Sequence, residues 1–419
     1  NGWVSAYLSV SGVESEYGLP GPLSRAELAD DRKQSTEFAN FGEEEAIYSR
    51  AGIGLCFNDE FSFGLDAGYT SRDLYTVFYS YGGGAPAFPF EIEQDYEILS
   101  VSPTVTYQND RLTALVGLDY YDDHVGAEFG ADPVEYERQT LAAFSSLKYD
   151  AGEGLILTAS LRCERARTDG SYTVVGAVNE LDALTEDQYA WSLGVIKAFE
   201  QNGRLYGSVR RFYRYAATDE VTVVDFNSST ASFNPDLDTE WGHELELGGD
   251  WAFDSLVVGA RIYHQWMNDE IIYSPSSFSN VNLDETSRFG TDLFVTYALT
   301  EKLNANVNYT YVSTEIVGGT FDGSEVPLVP EHKLRVAMEY RPSDPVRILL
   351  GASYTDTVYV GSDFDNASSE LNNYVLVDLS FRYAFSEDVS VFVTVDNLFD
   401  KEYVSTAFGP DALYPGVGR

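Results

Sequence analysis

Residues 303–312 read LNANVNYTYV, in which Leu303, Ala305, Val307 and Tyr309 alternate with Asn304, Asn306 and Asn308. Successive side chains of a strand point to opposite faces, so this period of two specifies a strand with one oily face and one amide face. Two surroundings suit such a strand. A soluble sandwich buries the apolar row in its core and hydrates the asparagines. A membrane barrel does the reverse, setting the apolar row against lipid and the asparagines toward a polar lumen. The rest of the chain decides between them.

The chain of 419 residues carries 30 Tyr, 25 Phe and 35 Gly against two Met, a bias toward β-structure. No apolar run approaches the roughly 18 residues of a membrane-crossing helix. A barrel strand needs only about ten alternating residues, so this does not weigh against a barrel. The net charge of −41 argues against nucleic acid as a partner, because phosphates attract basic surfaces. Alternation sets Cys56 opposite Leu55 and Phe57 but Cys163 on the face of Leu157 and Leu161, and no disulfide is expected between opposite faces. The first residues, GWVSAYLSV, already read as strand, without a signal peptide, and the chain reads as a processed or truncated piece.

Short turn signals fall at 57–61, 107–111, 148–154, 199–203, 252–255, 299–302, 341–345 and 385–388. Between them, 14–43, 80–95, 172–186, 216–238, 313–330 and 357–372 read as long polar connections. Short and long connections therefore alternate. Tight periplasmic turns and long extracellular loops sort this way in an outer-membrane barrel. A sandwich or propeller has no reason to do so. Each strand entering a short turn also ends its apolar row in an aromatic: Phe57, Tyr107, Tyr149, Phe199, Phe253, Tyr297, Tyr340 and Phe385. Amphipathic rings prefer the headgroup zone, so these eight should form one outward belt. Lys197 interrupts one apolar row near that interface, where its stem can snorkel. The expected fold is an all-β, antiparallel up-and-down transmembrane barrel wall of about 17 strands, from near Gly2 to near Tyr403, with the asparagines of LNANVNYTYV inside.

Several stretches resemble the TonB-dependent outer-membrane receptors. VDNLFDKEYVSTAFGPDALYPGVGR (395–419) is similar to that family's penultimate strand, its NLFDKEY signature and its YPGPGR turn. FNPDLDTEWGHELELG (233–248), MNDEIIYSP (267–275), NVNLDETSRFGTDL (280–293), VPLVPEHKL (326–334) and RRFYRYAATDE (210–220) resemble further family stretches. Ala216 and Val417 stand where the family has proline, and Asp292 where it commonly has glutamate. The resemblance covers most of 205–419. It implies a 22-stranded barrel enclosing a plug, of which residues 1–419 would be an incomplete barrel domain. Four first strands, the plug and the last strand would lie outside the chain, and the sheet would stay open between residues 2–13 and 389–403.

Enzyme signals are poor. His243 and Glu244 begin like a zinc-protease helix, but the stretch is a strand and no second histidine follows. His124, His264 and His332 lack zinc spacing, and Gly82–Gly84 precede no helix that could cradle phosphate. Asp363 and Asp365 have calcium-like spacing without the rest of an EF-hand. No resident cofactor or metal is expected.

Opposite the lipid rows fall Arg162, Arg210, Arg214, Arg261, Arg335 and Arg382, with Asp119, Glu339, Asp378 and Asp396. Their bland role is pairing across strands or docking a plug. The sharper expectation is that Arg210, Arg214, Arg261 and Tyr263 help hold an anionic ligand such as a ferric chelate. Trp266, sharing a face with Ala260 and Ile262, belongs to the outer belt. The resemblance implies uptake of a scarce bulky ligand, a ferric siderophore foremost, across the bacterial outer membrane. The TonB complex would act through the plug, with membrane lipid and lipopolysaccharide as surroundings. A cobalamin receptor, a passive porin and a soluble adhesive β-protein are the alternatives.

Overall fold

The computed structural model describes residues 3–418 apart from 83–84, 130–131, 175, 201, 226–229, 235, 275–276, 278 and 369. Gly2, where the first strand was expected to begin, and Gly83, Gly84 and Arg419 lie outside the described residues. In chain order the elements are β1 (Val4–Gly18), α1 (Arg25–Asp30), β2 (Phe41–Cys56), β3 (Phe61–Gly82), β4 (Ala85–Gln108), β5 (Leu112–Phe129) and β6 (Asp132–Gly152). Next come β7 (Leu155–Val174), β8 (Ala177–Phe199), β9 (Gly203–Arg214), α2 (Thr218–Val221), β10 (Thr222–Asp225), β11 (Thr230–Phe233), β12 (Glu240–Phe253) and β13 (Leu256–Asn268). Then follow β14 (Ile271–Ser274), β15 (Ser279–Asn282), β16 (Glu285–Thr300), β17 (Leu303–Val317), β18 (His332–Ser343) and β19 (Val346–Thr355). The last are β20 (Tyr374–Ala384), β21 (Ser390–Val395), β22 (Val404–Ala407) and β23 (Leu413–Pro415).

Among the described residues, seventeen strands form one antiparallel sheet in which each pairs with the next sheet strand along the chain. The hairpins β10–β11 and β14–β15 stand apart inside long connections, and β22–β23 follows the last sheet strand, β21. This is the up-and-down barrel wall, with the strand number read from the turns. Its final strand stops earlier than expected. After Val395 the chain turns, and Asn397 donates from Nδ2 to the carbonyls of Lys401 (2.9 Å) and Val417 (3.1 Å). Among the described residues, β1 pairs only with β2 and β21 only with β20. At the rim above these two edges the connections meet: Leu23 and Leu413 exchange backbone bonds of 2.8 and 2.9 Å. Leu413 shares a buried cluster with Val360, Leu371 and Ala407, against which Leu28 of α1 packs.

The short turns are built by small polar side chains. Asn58 Oδ1 accepts the amides of Glu60 and Phe61, and Asn109 Oδ1 those of Arg111 and Leu112, at 2.8–2.9 Å. Asn202 adopts φ 55°, a left-handed conformation that asparagine tolerates. Just before the turns sit the eight belt aromatics. Seven are exposed, and the eighth, Tyr107, packs its ring 4.8 Å from Phe61. Lys197 does more than snorkel: its ammonium donates to the carbonyl of Glu153 in the neighbouring turn.

Register settles the facing. Val307 lies opposite Val295 and Val336, whereas Asn306 lies opposite Thr296 and Asn308 opposite Phe294 and Arg335. Thr296 Oγ1 donates to Asn306 Oδ1 at 2.9 Å. The asparagines therefore share a face with the arginines and carboxylates, and Leu303, Ala305 and Val307 share the lipid face. Trp266 pairs with His243 on that same face. Cys56 and Cys163 are free thiols on opposite faces.

Two of the connections expected to be long loops, 80–95 and 172–186, are instead ladder over their described residues. The β3–β4 pairing runs on to Gly82 and Ala85, and β7–β8 to Val174 and Ala177. These strands reach 20–24 residues, about twice what a bilayer crossing requires. Above the apolar band the two faces exchange polarity. Outward, Glu14, Glu45, Asp73 and Asp95 stand directly opposite one another across β1–β4. Inward, Val125, Ala127, Val134 and Tyr136 form a buried cluster joined by Phe90, Ile92 and Val221 of α2.

Candidate ligand site in the barrel wall

The four residues expected to meet ligand fall on β9 and β13, the two neighbours of β12, and form one continuous patch. Alternation along EWGHELE turns Glu240, Glu244 and Glu246 to the inner face between them. Register then sets Arg214 opposite Glu240, Arg210 opposite Glu244, and Tyr263 opposite Glu246. Each guanidinium is held by carboxylates. Arg214 forks onto Glu240 through Nε and Nη2 (2.7 and 2.8 Å), while Nη1 reaches Glu220 of α2 at 2.5 Å. Arg210 meets Glu244 at 2.8 Å. Arg261 donates to Asp292 (2.6 Å) and Glu246 (3.0 Å) and lies 4.9 Å from the centre of the Tyr263 ring. One strand further, Arg288 pairs with Glu270 at 2.6 Å.

The other inward charges divide in two. Arg162 is held by Asp119 and Glu164, and Glu339 takes both Arg341 and Arg347. Asp378 accepts the amide of Asn397 (2.9 Å). Arg335 and Arg382 have no carboxylate at ion-pair distance among the described residues; Arg335 meets the Ser353 hydroxyl at 3.4 Å. Asp363 spends both carboxylate oxygens on the amides of Ala367 and Ser368, at 2.9 Å each, which explains its burial in the loop. Three of the histidines pack against aromatic neighbours, His243 against Trp191 and edge-on to Trp241, His264 against Trp266, and His332 stacked on Tyr309 and tilted against Tyr311.

The patch also anchors the mouth. Glu240, 7 % exposed, accepts the amide of Ile271 (2.7 Å) at the start of β14. Asn234 and Asn280 reach across between the two loop hairpins, Asn234 to the carbonyl of Asn280 and Asn280 to that of Glu220, both at 3.0 Å. Arg138, from β6, donates to the carbonyl of Ala216 at 2.9 Å. Loops 215–239 and 269–284 are thus pinned to the inner wall through Arg214 and its two glutamates. Burial, with Asp238 and Asp284 nearby, pushes the Asp269 carboxyl of this mouth up.

A family model described as TonB dependent receptor-like, beta-barrel, matches residues 11–398. The chain is 22% identical over 284 residues to the probable TonB-dependent siderophore receptor PiuA of Acinetobacter baumannii, a match covering 63% of this chain and 37% of that protein. It is 24% identical over 278 residues to the ferrichrome outer membrane transporter/phage receptor of Escherichia coli, covering 63% of this chain and 35% of that one. The matches therefore span little more than a third of these relatives. In fold, it superposes on the crystal structure of PiuA with a TM-score of 0.78 at 15% identity, covering 99% of this chain and 70% of that one. On the unliganded ferric citrate transporter FecA the TM-score is 0.80 at 16% identity, covering 99% and 66%. With a family model over almost the whole barrel wall and a strand order that agrees with it, this outer-membrane chain belongs to the TonB-dependent receptor-like β-barrel family.

Proposed function

We propose that this chain is the wall of a receptor that takes up a scarce, bulky ligand, a ferric siderophore foremost, across the bacterial outer membrane. The observation that carries the reading is the family match laid over a barrel whose inner face, at its outer end, presents one guanidinium–carboxylate patch under pinned loops. Relatives named as siderophore and ferrichrome receptors support the ligand class. Ligand would enter between loops 215–239 and 269–284 and meet Arg210, Arg214, Arg261 and Tyr263. Arginine and tyrosine suit this work because both offer planar donors over a polarisable face. No bond is made or broken in the ligand. Energy would come from the TonB complex of the inner membrane through a plug, with outer-membrane lipid and lipopolysaccharide around the apolar band.

The test is uptake of a radiolabelled ferric chelate by cells with and without the intact receptor. Accumulation should require the receptor and should collapse when the inner-membrane proton gradient is dissipated. Receptor-dependent entry that survives loss of the gradient would mean a passive porin instead.

A further inference from the structure

The charge of the ligand can be read from how the patch spends its own. Arg210, Arg214, Arg261 and Arg288 face six carboxylates, those of Glu220, Glu240, Glu244, Glu246, Glu270 and Asp292. Four positive and six negative groups leave the patch at −2. None of the four guanidiniums is free of a carboxylate. Arg214 has all three nitrogens committed, Nε and Nη2 to Glu240 and Nη1 to Glu220. An anion approaching Arg214 would meet Glu240 and Glu220 already seated on the guanidinium, and drawing Arg214 off Glu240 would leave that buried carboxylate without its cation, an arrangement disfavoured in a low-dielectric wall. The surroundings have the same sign. The chain carries −41, and the outward faces of β1–β4 above the membrane hold facing rows of carboxylates. A mouth of net negative charge repels anions and collects cations.

We propose that the ligand admitted by this wall is uncharged or cationic, and that polyanionic chelates are rejected; the proposal rests on the uptake reading above. A ferric trihydroxamate, in which three monoanionic groups cancel the metal charge, is of the accepted class. A ferric tris-catecholate, which retains three negative charges, is of the rejected class. Arg210, Arg214 and Arg261 then serve as partners that hold glutamate oxygens in place as acceptors, with Tyr263 as the aromatic face beside them.

The test is equilibrium binding of three ferric chelates to the intact receptor in detergent: a neutral trihydroxamate, a monocationic trihydroxamate and a trianionic tris-catecholate. At about 0.05 M salt the neutral and cationic chelates should bind about tenfold or more tighter than the trianion, the lower end of what a charged cleft imposes on encounter. Raising salt to about 0.5 M should weaken the cation and strengthen the trianion, because screening removes attraction and repulsion alike. Glu246→Gln leaves Arg261 on Asp292 and should raise trianion affinity severalfold, which ties the discrimination to this patch. Tighter binding of the trianion than of the neutral chelate at low salt overturns the charge assignment while leaving uptake intact. Binding of none of the three overturns the uptake reading and this proposal with it.

Discussion

At the scale of single residues, facing is the property that decides tolerance. Arginine at Val307 would place a cation against lipid near mid-membrane, costing roughly 2–4 kcal/mol, whereas arginine at Asn306 would enter the polar lumen. The expectation is that V307R impairs assembly and N306R barely does, measured as heat-modifiable mobility of the folded barrel in detergent. Arg214 offers a second comparison. Its loss releases Glu220 and strands Glu240, and because the side chain is 44% exposed the cost should be about 1–2 kcal/mol. Arg214→Gln should therefore speed amide exchange in loops 215–239 and 269–284 and leave the barrel strands unchanged; exchange that is equal in both loops before and after would mean that Arg214 pins neither. The arginines were legible in the sequence as an inward row. Their partners were not. Glu240, Glu244 and Glu246 alternate plainly in EWGHELE, but to see them as arginine acceptors requires knowing that β12 lies between β9 and β13, which one strand cannot tell.

Among elements, the turns were the most legible and the tall hairpins the least. Asn58 and Asn109 each cap two backbone amides, a local bonding pattern that a polar tetrapeptide between apolar rows already suggests. Replacing Asn109 with alanine should cost about 1 kcal/mol, read as a lower denaturant midpoint for the intact barrel with unchanged slope. By contrast, 80–95 looked like a loop because Gly82–Gly84, Pro86 and Pro89 lead into an acidic end at Glu91, Glu93 and Asp95. The period of two was nonetheless there: Ile92, Tyr96 and Ile98 alternate with Glu91, Glu93, Asp95 and Glu97. What misled was the assumption that polar means loop. Once a strand rises out of the bilayer its outer face meets water, and carboxylates become suitable there.

For the whole molecule, strand number and direction followed from counting turns, and the 17-stranded sheet agrees. The placement of loops over the mouth did not follow, because it depends on contacts between segments distant in sequence, such as Leu23 with Leu413. Those loops carry a pH response. Burial and the neighbouring Asp238 and Asp284 raise Asp269, and burial with Glu331 and Glu370 raises Glu325. A carboxyl whose pKa is raised by folding binds more protons folded than unfolded. Its contribution is therefore greatest in acid and is lost as pH rises from the ordinary carboxylate value through the raised one. Amide exchange around residues 268–271 and 325–326, corrected for intrinsic rate, should slow as pH is lowered from 7 toward that range. Faster corrected exchange on acidification would contradict the assignment.

The exchange of polarity above the apolar band has a consequence for how the barrel floats. Along β4 the outward row is oily from Tyr107 to Leu99 and acidic from Glu97 to Glu91. Along β2 it is oily from Leu55 to Ile47, apart from Ser49, and acidic at Glu45 and Glu43. The belt aromatics mark the lower limit and these carboxylates the upper, and β4 continues beyond them to Ala85. A cylinder with such a mark cannot ride deeper without drawing a ring of charge into hydrocarbon, nor higher without lifting its oily rows into water. The long hairpins are thus given a waterline, and their height above it is set by the chain itself.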